Sequence, residues 1–276
     1  SFLSQLAYNS GILSKFANMK MSFQIEYRAP FGQSMHLCVT YYNAEMHHRA
    51  HNLLMHTGDG STWTVETSSM MLSHFPISYL EYHYQVEDDH GKCIRKEWSC
   101  VPRVYAIDDS KNYIFQDQWR DLSLQHYLFR WTKQPLAYLK NTPFFDRSIV
   151  FRVSAPHIKS YQRVALLGSE APLGAWNVKH PLPMYYIGDG DWLPSINAYA
   201  LRLPLEYKYV VINDETHDVV EWEKGENRQT KLKRLEWGEQ LILHGGNLRT
   251  DCELVCHDDY FNKDNTIAHD IRELYI

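Results

Sequence analysis

The run SYLEYHYQV, residues 78–86, has a second copy in PLEYKYVV, residues 204–211. Both alternate aromatic or apolar residues with polar ones, the period-two signature of a strand with one face in a core. Each is followed, after a turn, by a Glu-Trp pair, Glu97-Trp98 in the first copy and Glu221-Trp222 in the second. Glu81 precedes Trp98 by 17 residues and Glu206 precedes Trp222 by 16. A near-repeat of this length constrains the chain to build the same unit twice, and 276 residues suffice for two ordinary domains with real cores.

Short strand-like runs surround both copies. In the first half they cover 22–27, 36–42, 61–70, 79–88 and 94–101; in the second, 148–155, 163–169, 195–203, 206–213, 218–225 and 239–245. Turn sequences separate them, among them Gly58-Asp59-Gly60 and Asp88-Asp89-His90-Gly91. With 19 Tyr and 8 Trp, 14% of the residues are aromatic, which favours β-structure. The pattern predicts an all-β protein of two tandem immunoglobulin-like antiparallel β-sandwich domains, spanning 21–111 and 147–247. The aromatic-rich segment 112–146 is read as a connection that extends the first domain and packs across the junction, and 248–276 as a C-terminal linker or tail. Residues 1–20 read as a leader or a segment added for expression, with translation starting at Met19 or Met21.

Several function classes are disfavoured at this level. A formal net charge of −5 argues against nucleic acid or an anionic membrane as the main partner, and no run reaches the roughly 18 apolar residues of a membrane span. Five cysteines at irregular spacing suggest reduced thiols in a cytoplasmic protein rather than a disulfide framework. His47, His48, His51 and His56 lack metal-ligand spacing and read as solvated loop histidines; Cys252, Cys256 and His257 lack a second ligand pair. No metal site or cofactor is expected. No nucleophile elbow, phosphate loop or zinc-protease motif occurs, so no catalytic residue is assigned.

The stretch LLGSEAPLGAWN, 166–177, places Trp176 in a Pro/Gly loop directly after a strand. A loop tryptophan either plugs a core or offers a flat face to a ligand. Together, LGxWN, then EYKYV, then EWExGxNR fall in an order that resembles the starch-binding domain, the family 20 carbohydrate-binding module, over about residues 147–245. The first half, about 21–107, resembles a degenerate second copy. Two such modules in tandem are similar to the N-terminal part of family 77 4-α-glucanotransferases of the disproportionating type. The resemblance implies non-catalytic binding of α-1,4-glucans (starch, glycogen or maltodextrin) beside the catalytic domain of a parent enzyme. A family 77 barrel needs about 250 residues, so the catalytic part is expected to be absent from this chain.

The resemblance makes Trp176 and Trp222 the two aromatic faces of a glucan site, with Lys208 and Asn227 as polar partners to sugar hydroxyls. The chemistry suits the residues: sugar C–H faces pack on flat rings, while hydroxyl rims need donors and acceptors. A second site would draw on Tyr161, Tyr185, Tyr186 and Asp189, with Trp192 supporting the fold. The first copy lacks an LGxWN loop, has His83 at the lysine position and Pro102 or Arg103 near the asparagine position, and keeps Trp98. The alternative reading is a protein-interaction or domain-docking module with an idle glucan site, for which Tyr113, Phe115, Trp119 and Trp131 would form the surface. A solvent-facing Trp176 opposite Trp222 favours glucan binding, and a buried one the alternative.

Overall fold

A computed structural model of the chain describes residues 18–97, 102–120, 145–188 and 190–250. Trp98, Trp131, Asp189, Cys252, Cys256 and His257 lie outside the described residues, as do the segment 121–144 and the ends of the chain. The described part is almost entirely β. The first half contributes β1 (Lys20–Glu26), β2 (Ser34–Tyr42), β3 (His48–Leu54), β4 (His56–Thr57), β5 (Thr62–Ser68), β6 (Tyr79–Glu87), β7 (Cys93–Lys96), β8 (Arg103–Ala106) and β9 (Asn112–Gln118). The second contributes β10 (Ser148–Ser154), β11 (Gln162–Gly168), β12 (Leu182–Pro183), β13 (Tyr185–Gly188), β14 (Asp191–Leu193) and β15 (Ser195–Asn197). It continues with β16 (Glu206–Asn213), β17 (Val219–Trp222), β18 (Arg228–Gln229) and β19 (Glu239–Asn247). Among the described residues, no helix is long and apolar enough to cross a membrane.

The strands form three sheets. One outer sheet, in order β3-β2-β6-β7 with β8 on β6, belongs to the first half. Its counterpart, β12-β11-β16-β17 with β18 on β16, belongs to the second. The third is shared: β13-β14-β10-β19-β9-β1-β5-β4, with β15 on β10. Its order is palindromic, because β10 and β19 play in the second half the parts of β1 and β9 in the first. The outer sheets are antiparallel as expected. The shared sheet adds three parallel pairings, β1 with β9, β9 with β19 and β19 with β10.

Because the equivalent strands β9 and β19 lie side by side and parallel, the two units are related by rotation about an axis along the strands. That rotation turns opposite faces of the shared sheet to the two outer sheets, and side-chain alternation follows it. Tyr113 and Phe115 of β9 enter the core of the first unit, while Ile114 packs against the core of the second. On β19, Leu241 and Leu243 face the second core and Ile242 the first. On β10, Val150 joins the first core whereas Ile149, Phe151 and Val153 fill the second. A strand used on both faces carries little amphipathic alternation, and β10 is buried at every position.

Three boundaries differ from the sequence reading. Met19 is buried in the first core and Lys20 opens β1, so the ordered strand starts before Met21. Residues 112–118 form β9, a central strand rather than a connection, with six residues paired to β19 from Asn112↔Glu239 to Asp117↔His244. Tyr113 and Phe115, expected on a docking surface, are 1% and 0% exposed; Trp119 packs on the first core, its ring 4.7 Å from that of Tyr27. His48, His51 and His56 stand in strands β3 and β4 rather than in loops, because β2 and β5 pair with them.

Burying an Ile or Val side chain stabilises by about 1.5–3 kcal/mol, so the exchange of Val150 and Ile242 into the first core couples the two units. A fragment limited to residues 145–250 would expose those side chains and the unpaired edge of β19. It is expected to self-associate or to unfold at a lower temperature than residues 18–250, checked by light scattering and thermal denaturation. A monomeric fragment with unchanged melting temperature would contradict the shared core.

Candidate functional site

The site is built on the outer face of the β11–β16–β17 sheet. Cross-strand partners share a face, and Ala165 pairs with Val210, Leu167 with Lys208, and Val210 with Trp222. Leu167, Ala165, Val210 and Ile212 therefore turn outward together, and all four are fully buried. Part of their cover is Trp176, half-buried and packed on this cluster beside Val219. Trp222 stands on the same face and is 42% exposed. The tryptophan in the loop thus takes neither extreme: one side of Trp176 seals an apolar patch and part of it remains open to solvent.

The loop that carries it is tightly specified. Ala171–Trp176 forms 3-10 turns with a kink, and Gly174, Ala175 and Trp176 have φ of 78°, 46° and 61°. Left-handed backbone is costly for residues with a Cβ, so the surroundings must hold it. Leu173 is buried beneath the turn and its N–H donates to the Glu170 carbonyl at 2.9 Å. The Asn177 N–H donates to the Gly174 carbonyl at 2.8 Å, and the Asn177 side chain accepts from the Lys179 N–H at 3.0 Å. A Cβ at Gly174 would lie 2.3 Å from the His180 carbonyl oxygen, so glycine is required there by space as well as by φ.

The polar partners stand beside the rings. Lys208 Nζ donates to the Gly225 carbonyl at 2.6 Å, and Asn227 Nδ2 donates to Glu206 Oε1 at 3.0 Å. Glu206 was not read as a site residue from the sequence, although its place two residues before Lys208 in an alternating strand puts it on the same face. The turn bearing Asn227 is held from below. Glu223 receives the Arg228 guanidinium at 2.9 Å and that of Arg249 at 3.1 Å, and Arg249 also donates to the Glu226 carbonyl at 2.9 Å. Burial alone would raise the Glu223 carboxyl, but the two arginines overcome it and hold it below its ordinary range. In EWExGxNR, Glu223 and Arg228 are thus the buried staple, while Trp222 and Asn227 face solvent.

The same staple exists in the first unit: Arg103 donates to Glu97 at 2.7 Å and to the Gln118 carbonyl at 2.8 Å. Its position corrects the repeat register. The Glu97 N–H donates to the Tyr84 carbonyl, and the Glu223 N–H donates to the Tyr209 carbonyl. Glu97 therefore corresponds to Glu223, not Glu221. Lys96, paired with Gln85, occupies the place of Trp222, paired with Val210. Trp98 is not the counterpart of Trp222. At the lysine position, burial pushes His83 down to about 4, so that position carries no cation at neutral pH. The first unit thus lacks a ring and a charge where the second has both.

The remaining candidates lie elsewhere. Tyr161 is exposed just before β11, at the end opposite the Trp176 loop, with Lys159 Nζ 5.8 Å from its ring centre. Tyr185 and Tyr186 are 68% and 53% exposed on β13, at the edge of the shared sheet. The Tyr186 ring lies 5.2 Å from Trp192, which is buried and donates to the Ala155 carbonyl at 3.4 Å. Among the described residues, no group of three or more His, Cys, Asp or Glu side chains could hold a metal ion.

The loop geometry makes a stability prediction. Gly174→Ala is expected to lower the unfolding free energy by about 1–3 kcal/mol, whereas Gly58→Ala, where an added Cβ meets nothing, stays within about 0.5 kcal/mol of the parent. Denaturant midpoints of the two variants check this, and equal midpoints would contradict it.

Parts of the chain are similar to known proteins. The family model described as "Starch binding domain" matches residues 146–241. The 4-alpha-glucanotransferase DPE2 of Oryza sativa subsp. japonica is 23% identical over 186 residues, 61% of this chain and 20% of that protein. Starch-binding domain-containing protein 1 of Rattus norvegicus is 33% identical over 99 residues, 36% of this chain and 27% of that protein. The chain therefore spans only 20% and 27% of the lengths of these two relatives. The family 20 module of the maltotetraose-forming amylase of Pseudomonas saccharophila STB07 is 20% identical, covering 35% of this chain and 98% of that one, with a TM-score of 0.28. The match to the starch-binding domain family thus falls on residues 146–241, which hold the loop of Trp176 and the turn of Asn227.

Proposed function

We propose that the chain binds α-1,4-glucans of starch, glycogen or maltodextrin through Trp176, Trp222, Lys208 and Asn227. The observation that carries this is the shared face: two tryptophans, each with solvent-accessible surface, stand on one sheet face with a lysine, an amide and Glu206 beside them. Rings receive the C–H faces of glucose units, and the polar groups exchange their intramolecular partners for hydroxyls. No bond is made or broken. Because the rice relative is a 4-α-glucanotransferase, we further read the role as holding substrate beside the catalytic domain of such an enzyme. Tethering would raise local substrate concentration without altering the chemical step.

In this reading the first unit positions its neighbour rather than forming a second clamp, since Lys96 and a neutral His83 replace the ring and the cation. Tyr161, Tyr185 and Tyr186 serve as a secondary contact for long chains, supported by their exposure. A cytoplasmic setting follows from the five irregularly spaced cysteines. The docking-module alternative loses its support with the burial of Tyr113 and Phe115.

Calorimetric titration of maltoheptaose or β-cyclodextrin tests the reading. Aromatic stacking of this type is worth about 1–3 kcal/mol per ring, taking base stacking as the guide. Trp176→Ala and Trp222→Ala should each weaken binding by about 5- to 150-fold. Binding that persists unchanged in both would move the site away from this face, and no heat from the folded parent protein would overturn glucan binding.

A further inference from the structure

The two faces of the shared sheet are used differently where the units meet. The face of β10 and β19 that turns to the first unit is filled. Val150, Arg152, Ile242 and His244 are buried there; Arg152 donates to the Val104 carbonyl at 2.9 Å, and His244 Nδ1 lies 2.9 Å from the Tyr105 hydroxyl oxygen. The symmetry-related face, that of β1 and β9 turned to the second unit, is polar and only partly closed, bridged by Arg228 donating to Gln118 Oε1 at 2.8 Å and by the Lys231–Glu26 pair. Gln24, Glu26, Gln116 and Gln118 stand there, opposite Leu203, Pro204 and the segment 226–231. Between these walls runs a groove of about 700 Å³, within the roughly 300–1,000 Å³ of small-ligand sites.

Three features fit this groove to an oligosaccharide. It is continuous with the clamp, because Asn227 belongs to both: it lines the groove and donates to Glu206 on the clamp face. Its polar wall is rich in amides, Gln24, Gln116 and Gln229, each offering donors and an acceptor to hydroxyls, while Leu203 and Pro204 supply an apolar strip. Of the four lysines and arginines lining the groove, three are paired with carboxylates and Lys233 stands exposed beside them, a balance that favours a neutral ligand over a phosphate. Lys231 is paired with Glu26 at 2.6 Å, and Arg228 and Arg249 are engaged by Glu223.

We infer that the groove is a second α-glucan contact contiguous with the clamp. One chain gripped by Trp176 and Trp222 passes Asn227 and continues between the two units. The inference rests on the clamp reading and adds to it a length dependence that requires both units, since β1 and β9 supply one wall.

The test is calorimetric titration of the full chain with maltotriose and with maltoheptaose, comparing the parent protein, the double variant Gln24→Ala/Gln116→Ala, whose two positions lie on the β1–β9 wall away from the clamp face, and Trp176→Ala. Tighter binding of maltoheptaose than of maltotriose is expected in the parent. The double variant should bind maltotriose within twofold of the parent and lose at least fivefold in affinity for maltoheptaose. Undiminished maltoheptaose affinity in the double variant overturns the groove and leaves the clamp standing. If Trp176→Ala binds both sugars like the parent, the clamp reading falls, and the groove is judged by whether the double variant still discriminates by length. A parent protein that binds neither sugar overturns both. Maltotriose binding by the double variant doubles as its control for correct folding.

Discussion

The parallel pairing of β9 with β19 is the constraint on which the rest of the structure depends. It joins the last strands of two sandwiches into one sheet and turns the two outer sheets to opposite faces of it. β9, β19 and β10 then each serve a core on both sides. Val150, Ile187, Leu193 and Ile242 enter the first core and Ile114 packs on the second, and Arg152 and His244 extend the contact with polar bonds to β8. The units are therefore not beads on a linker. The groove beside Asn227 exists because the sheet of one unit continues past the edge of the other.

Each unit has a buried carboxylate-arginine staple next to the second hairpin of its outer sheet. Glu97 with Arg103 and Glu223 with Arg228 occupy equivalent places, each with the guanidinium over a tyrosine ring: 5.2 Å from the centre of Tyr84 and 5.0 Å from that of Tyr209. Breaking one partner of such a buried pair typically costs about 3–5 kcal/mol. The staple is thus a structural element common to both copies, and the copies diverge on the outer face above it. There the second unit has Trp222 and Lys208 where the first has Lys96 and His83. The two copies thus differ at single positions of alternating strands.

Much of this was legible in the sequence because period-two alternation reports a half-buried strand directly. SYLEYHYQV and PLEYKYVV are β6 and β16, and both outer sheets follow from them. The residues proposed for the clamp were singled out by motif order, and the structure places Glu206, two residues before Lys208, beside Asn227. What escaped has physical reasons. Parallel pairing between distant strands has no local signature, so β9 looked like a connection, and its aromatics like a surface, although alternate positions of NYIFQDQ enter different cores. The repeat register slipped because the second copy holds two glutamates, Glu221 and Glu223, flanking one tryptophan; only the hydrogen bonds to Tyr84 and Tyr209 tell which is the equivalent. The left-handed backbone at Ala175 and Trp176 is set by packing under the loop rather than by those residues' own preferences.

The most direct measurement is native-state amide hydrogen exchange at Ile114, Phe115, Leu241 and Ile242, set against the central strands β6 and β16. A single sheet shared by both units predicts that the β9–β19 amides exchange as slowly as those of the two outer-sheet cores, through the same global opening. Exchange at β9 and β19 that is fast while β6 and β16 stay protected would mean that the units part independently, and would contradict the shared sheet.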